Sequence, residues 1–257
     1  MRSPLLSAAL FGLAACTQPG TNAAPENGRG PSDGAEGALP APAETAHGET
    51  SWDGYRAGGN EPFWNVTFND GQMVFEHFDA PGATAPRPAP ETTANGYRFA
   101  ARADGQPFIV EIEHAYCADS MSGRPYPDSV KVTVHGDGFT GCGGDTASLV
   151  TGPPWQVTSV DDTSVAGSLG MTVRFAEDGS ISGYTGCNRY TGSYEAGGEG
   201  ISTGPIAATR RACLDPSANR MESEFLTALG GLRSFSIEDD GSLVLVAENG
   251  TEIRAQR

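Results

Sequence analysis

What most limits the folds open to this chain is a repeated pairing of short apolar runs with Asp-Gly. Runs 63–68 and 73–78 flank Asn69-Asp70-Gly71, and runs 97–101 and 108–112 flank Ala103-Asp104-Gly105. A two-residue hairpin turn needs positive φ at its centre, which Asp tolerates and Gly adopts without steric cost, so such pairs join antiparallel strands. Run 130–134 alternates Val with polar residues in the same manner. Residues 80–90, rich in Pro and Ala, read as an irregular loop. Residues 52–150 are therefore expected to form a small antiparallel β domain.

A second domain is expected over 153–257, beginning at Pro153-Pro154-Trp155. Strand-like runs at 155–160, 171–175, 180–183, 190–194 and 201–206 come first. Then the period changes. Asp215-Pro216 offers an N-cap followed by Pro at the first helical position. Met221, Phe225, Ala228 or Leu229, and Leu232 recur at helical spacing, and Gly230-Gly231 marks the end. Runs 235–237, 243–246 and 251–254 return to strand around Asp239-Asp240-Gly241. The fold class is mainly antiparallel β in two small domains, the C-terminal one α+β with one helix packed on a sheet.

The first fifty residues follow different rules. Met1-Arg2-Ser3-Pro4 supplies a positive start, and 5–13 an apolar run too short to span a bilayer. Leu13-Ala14-Ala15-Cys16 resembles a bacterial lipobox, which implies a signal peptide over 1–15 and lipidation of Cys16. No other apolar run approaches eighteen residues. From 17 to 51 the composition is Pro, Gly, Ala, Thr and acidic residues, unable to bury enough apolar surface to offset ordering entropy. Residues 16–51 are thus expected to be a lipidated, disordered tether with an end-to-end distance of roughly 30–35 Å. Thr17 stands where Asp would signal inner-membrane retention. The expected location is the cell envelope, anchored to the outer membrane and facing the periplasm, with surface exposure left open.

Charge and cysteines narrow the chemistry. The formal net charge is −16, or −17 once the single positive charge of Arg2 is removed with the leader. So acidic a chain would be repelled by nucleic acid and by an anionic bilayer, which excludes nucleic acid as a partner. Setting Cys16 aside, Cys117, Cys142, Cys187 and Cys213 form an even set, read as disulfides in an exported protein. Three connectivities are possible. Neighbour pairing, 117 with 142 and 187 with 213, keeps each bridge inside one domain. Each would close a loop of about 25 residues, for which loop-closure entropy gives roughly 3 kcal/mol.

His114, Cys117, His135 and Cys142 could be written as a zinc set. In an extended segment His114 and Cys117 differ in parity and face opposite ways, and His135 falls on the polar face, so disulfide is expected over zinc. Asp137-Gly138, Asp178-Gly179 and Asp240-Gly241 are read as turns, since none continues into a calcium-binding ladder. No nucleophile elbow, His-Glu-x-x-His helix or phosphate-binding glycine loop is present. The four histidines all precede residue 153, which removes a Ser/His/Asp site from the second domain unless the domains share one. No metal, cofactor or catalytic residue is expected.

Among polar residues, Arg189, Arg210 and Arg211 stand out. A bridge between Cys187 and Cys213 would draw them together, either as a patch for an anionic or carboxylate group or as surface partners of Glu195, Asp215 or Glu222. Asn188 is either a ligand contact or, beside a half-cystine, a turn residue bonded to backbone. Trp64, Tyr116 and Tyr126 are packing residues or ligand platforms.

Two blocks of motif resemble known families. Gly59-Asn60-Glu61-Pro62-Phe63-Trp64, the run Tyr116 through Ser122, Arg124-Pro125-Tyr126-Pro127 and Gly141-Cys142-Gly143-Gly144 resemble an uncharacterised bacterial lipoprotein and membrane-protein family that brings no known activity. Gly183 through Tyr194, then Thr209-Arg210-Arg211-Ala212-Cys213, then Glu222 and Glu224-Phe225-Leu226 with Leu229, resemble the META domain of the HslJ family. That resemblance implies one helix on an antiparallel sheet, an envelope location, and a link to stress response, motility or secretion.

The function expected is that of a non-catalytic, membrane-tethered binding module for an envelope protein, glycan or small ligand, acting in envelope stress. A structural or assembly factor of an envelope complex is the alternative. Less favoured is an enzyme, of hydrolase type, using Asp119, Glu61 or the second-domain arginines.

Overall fold

The computed structural model describes residues 51–197 and 200–257, so the signal peptide, Cys16 and nearly all of the tether lie outside the described residues. Every pairing between named strands is antiparallel, as the alternating runs require. Among the described residues no helix is long and apolar enough to cross a membrane.

The first sheet is built from β1 (Arg56–Asn60), β2 (Phe63–Asn69), β3 (Gln72–His77), β4 (Ala83–Pro86), β5 (Glu91–Thr93), β6 (Gly96–Ala103) and β7 (Gln106–Glu113), a detached ribbon β8 (Cys117–Ala118) and β9 (Pro125–Tyr126), then β10 (Asp128–Val134) and β11 (Asp137–Gly143). Its order is β4-β3-β2-β1-β11-β10-β7-β6-β5. The two Asp-Gly hairpins form with both central residues at positive φ, 50° and 70° at Asp70-Gly71 and 49° and 77° at Asp104-Gly105, with Asn69 opposite Gln72 and Ala103 opposite Gln106. Alternate residues then point inward, and Val66, Phe68, Met73, Phe75, Phe99, Phe108, Val110 and Val132 make the core.

Two expectations fail here. Residues 80–90 are not all loop: Ala83 and Ala85 are small enough to bury opposite Phe75 and Met73, so β4 forms. Pro86 fits because β4 is an edge strand, where a missing N–H costs no ladder bond. The turn before β11 is His135-Gly136, at φ 54° and 92°, because His visits the left-handed region more readily than most residues. Asp137-Gly138 begins the next strand instead.

The second sheet contains β12 (Trp155–Val160), β13 (Thr163–Ser164), β14 (Thr172–Phe175), β15 (Ser180–Tyr184), β16 (Arg189–Gly197), β17 (Gly200–Thr203), β18 (Ala207–Ala208), β19 (Leu232–Ile237), β20 (Leu243–Ala247) and β21 (Glu252–Gln256). The order is β17-β16-β15-β14-β12-β21-β20-β19, with β13 on β12 and β18 on β16. The sheet curls until its ends meet: a Cβ on Gly200 of β17 would strike the Arg233 carbonyl of β19. The run expected to continue to 206 stops at Thr203, before Gly204-Pro205.

Helix α1 (Pro216–Gly230) starts where Asp215 accepts from the Ser217 N–H at 2.8 Å, with Pro216 in the first turn. Its buried stripe, Met221, Phe225, Ala228 and Leu229, enters the core of the second sheet; Leu232, expected on the same stripe, falls in β19. Burying Phe225 alone contributes roughly 2–3 kcal/mol. The chain's last residue ties this sheet to its first strand. The Arg257 guanidinium lies 3.9 Å over the Trp155 ring and donates to the Val150 and Thr151 carbonyls, both at 2.6 Å.

The cysteines pair as neighbours. Cys117 is bonded to Cys142 with Cα atoms 5.5 Å apart, and Cys187 to Cys213 at 5.7 Å.

Candidate functional site

The corner between β15 and β16 is the local structure around the second bridge. Thr185 N–H donates to the Asn188 carbonyl (2.9 Å) and Asn188 N–H to Thr185 Oγ1 (3.0 Å), and Gly186 turns the chain at φ 97°. Asn188 then points inward, 2% exposed. Its Nδ2 donates to the Arg211 carbonyl at 2.9 Å and to Glu222 Oε2 at 3.0 Å; its Oδ1 accepts from Thr209 Oγ1 at 2.7 Å and Arg211 N–H at 2.8 Å. All four of its amide positions are used inside the protein. Asn188 is thus placed as a fastener of segment 209–211 to the corner and to α1. Glu222, 9% exposed, also accepts from the Thr185 hydroxyl at 2.5 Å.

Arg210 and Arg211 are exposed and line a cavity of about 680 Å³ together with Asn188, Asn219, Glu222 and Leu226. Arg189 is exposed but does not line it; only its backbone joins the group, N–H to Thr209 Oγ1 at 3.2 Å. Among the described residues none of the three guanidinium groups is in an ion pair. Pairing with Glu195, Asp215 or Glu222 is not what the structure records.

A second site, which the residue patterns alone did not reveal, lies along β1. A cavity of about 1080 Å³ is lined by β1, by Trp52, Tyr55, Phe63, His114 and Tyr126, and by the turn after β11. Its floor depends on glycine. A Cβ on Gly59 would come 2.5 Å from Trp64 Nε1 and 2.6 Å from the Thr140 carbonyl; one on Gly143 would come 2.7 Å from the Tyr55 hydroxyl; one on Gly144, at φ 89°, 2.6 Å from Asp128 Oδ2. Gly59 of the first motif block and Gly143-Gly144 of its last leave the spaces into which Trp64, Tyr55 and Asp128 fit.

In that space sits a carboxylate with two partners. Asp128, 5% exposed, has Oδ1 2.8 Å from His114 Nδ1, and its Oδ2 accepts from the Tyr55 hydroxyl at 3.1 Å. Burial, then the charge of Asp128 and its hydrogen bond, push the Tyr55 phenol far above its ordinary value, so it remains a donor. Nδ1 faces the carboxylate, so Nε2 is the ring nitrogen left to meet a ligand. The His114 side chain is 51% exposed and packs edge-on against Tyr97.

The two motif blocks meet at Asn60, whose Nδ2 donates to Asp119 Oδ2 at 2.5 Å and to Ser120 Oγ at 3.2 Å. Burial raises the Asp119 carboxyl, but hydrogen bonds from Ser122, Asn60 and Met121 outweigh it and hold the group below its ordinary value. Asp119 is therefore an ionised clasp on its loop. Trp64 is buried and stacked on Phe75, Tyr116 is exposed, and Tyr126 lines the cleft half-buried. The zinc reading does not assemble: His114 turns to Asp128, His135 lies in the β10–β11 turn near the Gly82 carbonyl, and Cys117 and Cys142 are bonded.

Residues 148–257 match the META domain family. The match takes in the whole Asn188–Glu222 corner and, of the cleft lining, Ser148 and Gly197 only. Two solved structures are similar. One is an NMR structure of a protein from Burkholderia xenovorans, 26% identical, covering 43% of this chain and 85% of its own, with a TM-score of 0.36. The other, also by NMR, is 21% identical and covers 42% of this chain and 92% of its own, with a TM-score of 0.37. No curated protein matches the chain.

Proposed function

We propose that this chain is a non-catalytic, lipid-anchored module of the bacterial cell envelope that binds a hydroxylated small ligand, such as a glycan unit, in the cleft along β1. The observation that carries the reading is the buried Asp128 carboxylate holding His114 Nδ1 at 2.8 Å. The other ring nitrogen, Nε2, is thereby left available on a cleft that also presents Trp52, Tyr55, Phe63 and Tyr126. A hydroxyl donor with an apolar ring face suits such a wall, where a few polar groups orient a ligand that aromatic surface holds. Of the carboxylates offered for an enzyme, Asp119 lines the same cleft but has both oxygens engaged by Asn60 and by its own loop, and Glu61 is exposed.

The anchor is supported by Leu13-Ala14-Ala15-Cys16, the outer-membrane location by Thr17, and the role in stress by the HslJ-like motifs. Mass spectrometry of the mature N-terminus should find acylated Cys16, and envelope fractionation should place the protein with outer-membrane markers. Recovery with inner-membrane markers would contradict the sorting.

Ligand binding is tested by titrating a peptidoglycan-derived disaccharide into the purified protein and following tryptophan fluorescence. His114→Ala should abolish the response at unchanged melting temperature, and Arg210→Ala/Arg211→Ala should leave it intact. Among the described residues the guanidinium groups of Arg210 and Arg211 make no ion pair, which favours a second reading, an anion site at the smaller cavity. The opposite pattern in the two variants, with a carboxylate or phosphate ligand as titrant, would establish that reading and remove the first.

A further inference from the structure

We propose that the Cys187–Cys213 bridge closes a latent metal site, opened by reduction, in which Cys187 Sγ, Cys213 Sγ and a Glu222 carboxylate oxygen bind a divalent cation of the zinc type. The site is independent of the cleft along β1. Three observations carry it.

The first is proximity. The two sulfurs and a Glu222 oxygen all lie within 4.8 Å of one another, and Glu222 Oε2 is 3.8 Å from Cys213 Sγ. Tetrahedral thiolates at about 2.3 Å from zinc stand roughly 3.8 Å apart. Side-chain rotation after reduction is enough to reach that separation.

The second is the state of Glu222. It is a buried carboxylate that accepts from two neutral donors, Thr185 Oγ1 and Asn188 Nδ2, one on each oxygen. Each oxygen keeps a lone pair, and among the described residues no cation pairs with the group. Neutral donors around a ligating carboxylate are how proteins orient a metal ligand. Arg210 and Arg211 line the cavity that Glu222 also lines, but among the described residues neither makes an ion pair that would offset burial of the carboxylate.

The third is that the corner holds itself without the bridge. Cys187 lies within the Thr185–Asn188 turn, closed by its own hydrogen bonds. Cys213 has its N–H bonded to Asn219 Oδ1 at 3.0 Å and its carbonyl to Asn219 Nδ2 at 3.2 Å. Segment 209–211 is fastened to Asn188. Cys187 and Cys213 are half-buried residues rather than core ones, which suits attack by a small reductant.

A dithiol reductant gives the bridge two electrons and two protons and leaves as its cyclic disulfide. The cation then displaces the two thiol protons to solvent, giving two thiolates, one carboxylate and a net site charge of −1. Water completes four-coordination. Two sulfur ligands exclude calcium and magnesium, which take oxygen, and the released protons make binding weaken as pH falls.

The test uses the full chain, reduced with a dithiol that is then removed under anaerobic conditions. Zn²⁺ affinity is read by competition with a chromogenic chelator, and Co²⁺ absorption reports sulfur ligation. Reduced wild type and Cys117→Ser/Cys142→Ser should each bind one ion with a tetrahedral cobalt spectrum, and the oxidised protein none. Cys187→Ser/Cys213→Ser should lose binding, and Glu222→Gln should bind about tenfold more weakly or worse while keeping its circular dichroism. Binding that survives Cys187→Ser/Cys213→Ser, or that is unchanged in Glu222→Gln, overturns the site. So does unfolding of the chain on reduction, because the corner then depends on its bridge.

Discussion

Replacing Asn188 by Asp reverses one hydrogen bond while changing almost no volume. The Nδ2 that donates to Glu222 Oε2 at 3.0 Å becomes a second carboxylate oxygen facing the first. Two unit charges at that distance repel by about 5–6 kcal/mol at an effective dielectric constant of 20, more than it costs to protonate one of them. The pair therefore holds a proton. Supplying it at pH 7 to a carboxyl that ordinarily titrates near 4 costs roughly 4 kcal/mol. The bond to the Arg211 carbonyl is also lost unless that proton serves it. Because the folded pair holds its proton to a higher pH than the unfolded chain does, the loss is smallest near pH 4 and grows by about 1.4 kcal/mol per unit as pH rises. Asn188→Ala removes the same bonds without adding charge and should cost about 3 kcal/mol at every pH in this range. Thermal unfolding followed by circular dichroism at pH 5 and pH 7.5 separates the two. At 2–4 °C per kcal/mol, Asn188→Asp should melt roughly 8–16 °C below wild type at the higher pH and recover much of that at the lower. An Asp variant that tracks the Ala variant at both pH values would refute the amide assignment and the placement of Glu222 behind it.

Arg257→Ala should lower stability by about 2 kcal/mol in urea unfolding, since it removes three hydrogen bonds to the 150–153 carbonyls and the stack on Trp155; Arg257→Lys should restore little, having no planar fork. Gly59→Ala should cost about 1–3 kcal/mol by overpacking Trp64, whereas Gly138→Ala, where a Cβ meets nothing within 4 Å, should be near neutral. Burial raises the phenol of Tyr190, as burial and Asp128 raise that of Tyr55. Their contribution to stability is complete below pH ~10 and is lost as pH rises further. Tyrosinate absorbance from these two should therefore appear together with loss of circular dichroism in alkali; ionisation before unfolding would show the rings to be accessible.

Much of this fold is legible where the chain states its own turns. Asp70-Gly71, Asp104-Gly105 and the Asp215-Pro216 helix start are local instructions, read within a few residues. The strands that stay hidden are those whose residues are chosen for another element. β1 and β11 are glycine-rich because Trp64, Tyr55 and Asp128 lie over them, and β4 is alanine-rich because it closes on Phe75. Neither shows the alternation of large apolar residues that marks a strand. The parity argument placing His114 and Cys117 on opposite faces extended a strand past its end: β7 stops at Glu113, and His114 turns to Asp128 across the β8–β9 ribbon.

The motif residues also divide in a way the sequence does not announce. Asn60 with Asp119 and Asn188 with Glu222 are each a short polar pair far apart in the chain and joined in the fold. A buried amide or carboxylate, as Asn188 and Glu222 are, is tolerated only when its partners are in place, and the part-buried Asn60–Asp119 pair clasps its loop with the same kind of bond. These motif residues therefore fasten the fold. Groups able to meet a ligand need the opposite property, capacity left over after folding. His114 has it through a ring nitrogen freed by Asp128, and Arg210 and Arg211 through guanidinium groups without ion pairs among the described residues. The Arg211 backbone is held by Asn188 and the His114 ring by Asp128, so a reading centred on the motifs reached Asn188 but weighed His114 only as a zinc ligand.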